Sequence, residues 1–154
     1  MSALKDQLHD DLTASMKARD ALRTSTLRMV LTAITNAEVS GKEVRELTDE
    51  DVLTVLGSEA KKRREAAQAF ADGDRPELAE KETAEAAILA EYLPAQLSAE
   101  EIAVIVSAAV DSAGAAGEGM KAMGKVMGIV SPQVKGKADG GAVAAEVKRQ
   151  LGAS

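Results

Sequence analysis

Leu4, Leu8 and Leu12 recur at four-residue steps with Met16 continuing the stripe, and the intervening positions are polar. That spacing predicts an amphipathic helix over residues 3–17. Asp20 is placed to cap a second helix over 21–40, where Leu22, Met29, Ala33, Ile34 and Ala37 make one stripe and Leu27 and Leu31 widen it. A helix apolar over that width packs on more than one partner. Thr48-x-x-Asp51 resembles a cap for a third helix over 49–71, with Val52, Leu53, Leu56, Ala60, Ala67 and Phe70 inward. Gly57 interrupts it, which implies either a close backbone neighbour or a locally weak helix. After the turn Asp72-Gly73-Asp74-Arg75, Pro76 suits the first position of a fourth helix over 76–92, whose buried seam is Leu78, Ile88, Leu89 and Tyr92.

The stretch Tyr92-Leu93-Pro94-Ala95-Gln96-Leu97-Ser98 divides the pattern. Pro94 disfavours helical geometry at Leu93 and lacks a backbone donor, so the fourth helix must close before it. Ser98 and Glu101 have the capping-box spacing and open a fifth helix over 99–113 with Ile102, Ile105, Val106 and Val110 inward. The glycine-rich run 114–119 follows. A sixth helix over 120–130 presents Met123, Val126, Met127 and Val130 and is expected to end by Pro132. Asp139 is expected to cap a seventh helix over 140–151 with Val143, Val147 and Leu151. The expected fold is all-α: about seven helices in two small domains, a four-helix domain over 1–93 and a three-helix tail-like domain over 99–154. A hinge over 94–98 joins them, and the two bodies are expected to move relative to one another.

Composition sharpens this reading. Hydrophobic residues make up 45% of the 154 but aromatics only 1%, so Phe70 and Tyr92 leave the cores to Leu, Val, Ile, Met and Ala. That stock favours helices over strands. With no cysteine, disulfides and thiolate metal sites are excluded. This usage, the lack of a signal-like N-terminal apolar run and the lack of a membrane-length segment lead us to expect a cytoplasmic protein, a monomer without membrane contact.

The net charge of −6 is unevenly held: residues 1–97 carry 13 basic and 19 acidic side chains, residues 98–154 six of each. An acidic body repels polyanions at long range, so nucleic-acid binding needs a local basic patch. Lys121 and Lys125 are four apart, and Lys135 and Lys137 follow beside Gly136 and Gly140 at the start of the seventh helix. A helix start offers free N–H groups, the glycines admit a phosphate, and lysines neutralise it. The same residues also suit a plain turn with solvated lysines. A secondary patch is formed by Lys17, Arg19 and Arg23, with Arg28 turned nearly opposite Arg19 on a helical projection. Capping and dipole compensation is its other reading. Lys61, Lys62, Arg63 and Arg64 advance by roughly 100° each and cannot share a face. Arg63 or Arg64 is expected to pair with Glu82 or Glu85, and Glu59 to reach Lys62 or Arg63. No aromatic residue accompanies the lysines, so base stacking is not expected.

No catalytic residue, metal ligand or cofactor site is legible. A phosphate-binding loop of the Gly-x-x-x-x-Gly-Lys-Ser/Thr type is absent, as is a cysteine nucleophile. His9 lies on the polar side of the first helix beside Asp10 and Asp11, where a solvated histidine is expected.

Five short motifs occur in order: Lys17-Ala-Arg-Asp20 with Leu27-Arg28, Lys61-Lys-Arg-Arg-Glu65, Tyr92-Leu-Pro94 with Gln96-Leu-Ser98, Met123-Gly-Lys-Val-Met127, and Lys135-Gly-Lys-Ala-Asp-Gly140. Together they resemble the stand-alone YqeY branch of the GatB/YqeY family over nearly the whole chain. The resemblance implies an all-helical two-domain protein similar to the C-terminal helical and tail region of the B subunit of glutamine-dependent tRNA amidotransferase. In that enzyme the tail contacts transfer RNA away from the catalytic centres. It therefore implies tRNA, an amidotransferase or another protein as partner. It also associates the chain with carbon-nitrogen ligase activity using glutamine as amido-N-donor, without a catalytic site of its own. A helical protein-binding adaptor is the alternative, with the acidic fourth helix and the hinge groove receiving a partner helix.

Overall fold

The computed structural model describes residues 2–152. Among them are seven α-helices and no strand: α1 Ala3–Lys17, α2 Ala21–Glu38, α3 Asp49–Asp72, α4 Pro76–Ala90, α5 Ala99–Ser112, α6 Met123–Val134 and α7 Gly140–Gly152. A 3₁₀ turn, Gly119–Ala122, leads into α6. The chain divides into two compact units, Met1–Leu93 and Pro94–Ser154.

Helix starts follow the local chemistry. The Asp20 carboxylate accepts from the Arg23 N–H at 3.1 Å. Thr48 with Asp51, and Ser98 with Glu101, form reciprocal capping boxes that satisfy two otherwise orphaned donors each. Ser2 caps α1 by accepting from the Lys5 N–H at 3.1 Å, and its hydroxyl donates to Asp49 at the start of α3. Three helices end alike, in the paired 6→1 and 5→2 bonds of a Schellman turn. After α1, Asp20 N–H reaches Ser15 C=O and Arg19 N–H reaches Met16 C=O; Arg75 and Asp74 repeat this after α3, Ala115 and Gly114 after α5. The turning residue has positive φ in each, 59° at Arg19, 59° at Asp74 and 63° at Gly114.

In the first unit the core gathers α1, α2, the first half of α3 and the end of α4 around Leu8, Leu27, Ile34, Val52, Leu56 and Leu89. Burying one such leucine contributes roughly 2 kcal/mol. Leu47, in the connection between α2 and α3, is buried with them, and its N–H donates to Glu38, which also holds Lys5 at 2.9 Å. The far end of the α3–α4 hairpin lies outside this core, for residues 71–78 are all exposed. Leu78, expected in the seam of α4, is therefore 38% exposed, while Ile88 and Leu89 are buried as expected.

Valines dominate the second core: Val106, Val126, Val130, Val143 and Val147, with Ile102 and Leu151. Two boundaries differ from expectation. The segment beginning at Met120 opens as a 3₁₀ turn, because Gly117 and Gly119 hold φ of 82° and 72°. At its other end α6 runs past Pro132 to Val134. The proline falls in the last turn and forfeits one backbone bond, and burial of both Val130 and Val134 holds that turn on the core. Helix α4 stops at Ala90, two residues before Tyr92; Tyr92 and Leu93 donate to Leu89 and Ala90, the tightened last turn that precedes Pro94.

Candidate functional site

Lys135 and Lys137 stand in the connection between α6 and α7, and Lys121 and Lys125 lie at the opposite, N-terminal end of α6. Lys121 is exposed in the 3₁₀ turn and Lys125 in the first turn of α6, so the two are separated by a change of helix type. Lys135 closes α6, Gly136 turns the chain at φ 77°, and Lys137 follows; all three are exposed, as is Gly140. The turn is held from outside as well as within. Lys137 N–H donates to Val134 C=O at 2.8 Å, and Lys137 C=O accepts from Leu97 N–H at 2.8 Å. The Gln96 side-chain amide donates to Gly136 C=O at 3.1 Å. Gln96 and Leu97 belong to the stretch read as a hinge, and they fix the backbone that carries Lys135 and Lys137. No local spacing could reveal this, since the partners are forty residues apart.

The start of α7 carries its own anion. Val143 N–H donates to Asp139 C=O at 3.1 Å, and the Asp139 carboxylate lies 3.2 Å from the position a Cβ on Gly141 would take. A phosphate arriving there meets that charge, so the helix N–H groups are a poor anion site and the lysine side chains are the groups whose charge suits a phosphate.

In the first unit the basic residues sort differently. Lys17 is exposed in the last turn of α1, and Arg19 is exposed in the turn after it. Arg23 is committed: it donates to Glu91 at 2.8 Å and lies 3.7 Å from Asp20, and the bond to Glu91 raises its proton affinity. Tyr92 completes this cluster through its hydroxyl bond to Asp11, and burial followed by that bond pushes the phenol well above its ordinary range.

Arg63 is the centre of a third group. Only 13% of its side chain is exposed, and it faces Glu59 at 3.3 Å, Glu85 at 3.4 Å and Glu82 at 3.9 Å, with the Met29 sulfur in contact. Burial, then the neighbouring Glu82, pushes the Glu85 carboxyl upward despite Arg63. Lys62 pairs with Glu59 at 3.3 Å and Lys61 lies 4.0 Å from Glu65. The basic run is thus an α3–α4 clamp at Arg63 with solvated neighbours, as the helix spacing implied.

A family model described as "Yqey-like protein" matches residues 5–151. An uncharacterized protein of Schizosaccharomyces pombe is 39% identical over 95 residues, covering 62% of this chain and 76% of that protein. Proteins named altered inheritance of mitochondria protein 41, mitochondrial, are also similar. That of Clavispora lusitaniae is 33% identical over 91 residues, covering 59% of this chain and about half, 52%, of its own length. That of Pyrenophora tritici-repentis is 27% identical over 151 residues, covering 96% and 80%. With motifs in order from Lys17 to Gly140 and a family match over almost its whole length, the chain belongs to the YqeY-like family.

Proposed function

We propose that this protein is a tRNA-associated accessory module that works beside glutamine-dependent amidotransferase systems, without a cofactor or catalytic site of its own. One observation carries the reading: Lys121, Lys125, Lys135 and Lys137 are all exposed, the first two at the start of α6 and the last two on the turn after it, whose backbone is fixed by Gln96 and Leu97. Lysines on a fixed turn meet phosphates without reading bases, and no aromatic side chain stands among them. The resemblance to an amidotransferase tail supports RNA as the polyanion, and a cytoplasmic monomer is the form in which we expect it to act. Equilibrium binding of the full chain to folded tRNA, beside heparin as a plain polyanion, tests this. Preference for tRNA supports the reading, and equal or absent binding overturns it.

A protein adaptor is the second reading, favoured by a shallow groove of about 520 Å³ between α3 and α4 lined by Ala67, Ala71, Ala79, Ala87 and Ala90. Crosslinking of a tagged chain in cells, with recovery of bound RNA and protein, separates the two. RNA recovered through the second unit favours the first reading, and a protein crosslinked along the groove favours the second.

A further inference from the structure

Arg19 and Arg28 stand nearly opposite on a helical projection, yet they line one open recess of about 410 Å³ with Met16, Ala21, Thr24 and Ser25. The projection fails because Arg19 precedes α2. Its left-handed backbone, φ 59°, closes the Schellman turn after α1, and that turn brings Arg19 alongside the first two turns of α2.

The recess is positive and uncompensated. No carboxylate lines it. Its nearest acid in sequence, Asp20, is occupied by the Arg23 N–H and the Arg23 guanidinium. Arg28 contacts the Met16 sulfur at 3.2 Å, a weak acceptor that neutralises nothing, and among the described residues no carboxylate pairs with Arg19. The two hydroxyls are already engaged, Thr24 with Ser15 at 2.8 Å and Ser25 with Leu22 C=O at 3.0 Å. The free donors are therefore the two guanidinium forks, whose planar N–H pairs match phosphate oxygens. Of the other arginines in this unit, Arg23, Arg45 and Arg63 face carboxylates, while Arg64 and Arg75 stand apart from this recess. The left-handed position costs a non-glycine residue about 1 kcal/mol, and here it carries a guanidinium into the recess.

We propose that the Arg19–Arg28 recess is a phosphate-binding site, held by one guanidinium from each side. Its ligand is a phosphodiester of an RNA backbone or a phosphate monoester, which share this chemistry. It lies in the first unit and stands on its own observations, apart from the lysines of the second.

The test is nuclear magnetic resonance on the full chain, following the Nε–H resonances of Arg19 and Arg28. It uses the Lys121→Ala, Lys125→Ala, Lys135→Ala, Lys137→Ala background, so that failure at those lysines leaves this result unaffected. One arm titrates inorganic phosphate, the other a short RNA duplex without terminal phosphates. Saturable shifts of both arginines in both arms support the site. Shifts with RNA alone assign it to phosphodiesters, and shifts with phosphate alone assign it to monoesters. Arg19→Gly with Arg28→Gln keeps the fold, since glycine suits the turn and residue 28 is exposed, and weakens binding roughly tenfold or more, read in parent and variant alike from the backbone amides of Ala21, Thr24 and Ser25. No shift in either arm overturns the proposal, as does equal affinity in the double variant.

Discussion

Gly57 is half-buried in α3 with nothing within 4 Å of the position a Cβ would take. Of the two explanations open to a glycine there, close backbone approach is thereby removed. Gly57→Ala should then stabilise the first unit by roughly 0.5–1 kcal/mol, read as a rise in the chemical-denaturation midpoint. Arg63→Ala should do the reverse. It leaves Glu59, Glu82 and Glu85 clustered without their cation, at a cost of about 3 kcal/mol near neutral pH. Because protonation removes the repulsion, the deficit should shrink as pH is lowered through the carboxylate range; a pH-independent deficit would locate the loss in packing instead. The Arg63 clamp was legible because helix spacing puts it inward beside an acidic α4. Arg23 and Glu91, 68 residues apart, offered no such signal, and the neighbourhood of Arg19 and Arg28 depends on a turn that a helical projection ignores.

At the scale of helices, periodicity and caps carried most of the information, because apolar spacing and Ser/Thr/Asp capping are local. What escaped was non-local. Leu78 has the right spacing but sits at a hairpin end with no core beneath it, and α6 continues past Pro132 because buried valines flank the proline. Helix α7 makes a pH prediction. Glu146 binds Arg149 at 2.9 Å and the Gln150 amide, which also donates to Ala103 C=O at 2.9 Å and so ties α7 to α5. The Arg149 bond, then that from Gln150, lowers the carboxyl from its ordinary 4.5 to about 2. A depressed carboxyl contributes stability that is present above the unfolded value and lost on acidification, so the second unit should weaken as pH falls from about 4.5 towards 2. Glu146→Gln should remove that part of the acid sensitivity, measured by thermal unfolding across the range.

At the scale of the whole molecule, Leu93 packs on the core of the first unit and Leu97 on that of the second. We expect the units to fold separately, so that limited proteolysis near residues 94–95 yields two folded fragments; fragments that both lose structure would argue for one cooperative body. The fold class was legible throughout, whereas the lysine turn was legible only as a cluster, since its support from Gln96 and Leu97 comes from the far side of α5 and α6 in sequence. The central claim is that the exposed lysines at the two ends of α6 meet RNA phosphates. The most direct measurement is the affinity of the full chain for tRNA as a function of salt, beside the Lys121→Ala, Lys125→Ala, Lys135→Ala, Lys137→Ala variant. Every phosphate neutralised by a lysine adds roughly 0.9 to the steepness of the logarithmic salt dependence on duplex, so removing four such lysines flattens it by about 3.6, with the fold retained and sequence preference unchanged. A folded variant that binds tRNA with the parent's affinity and an unaltered slope would contradict the account.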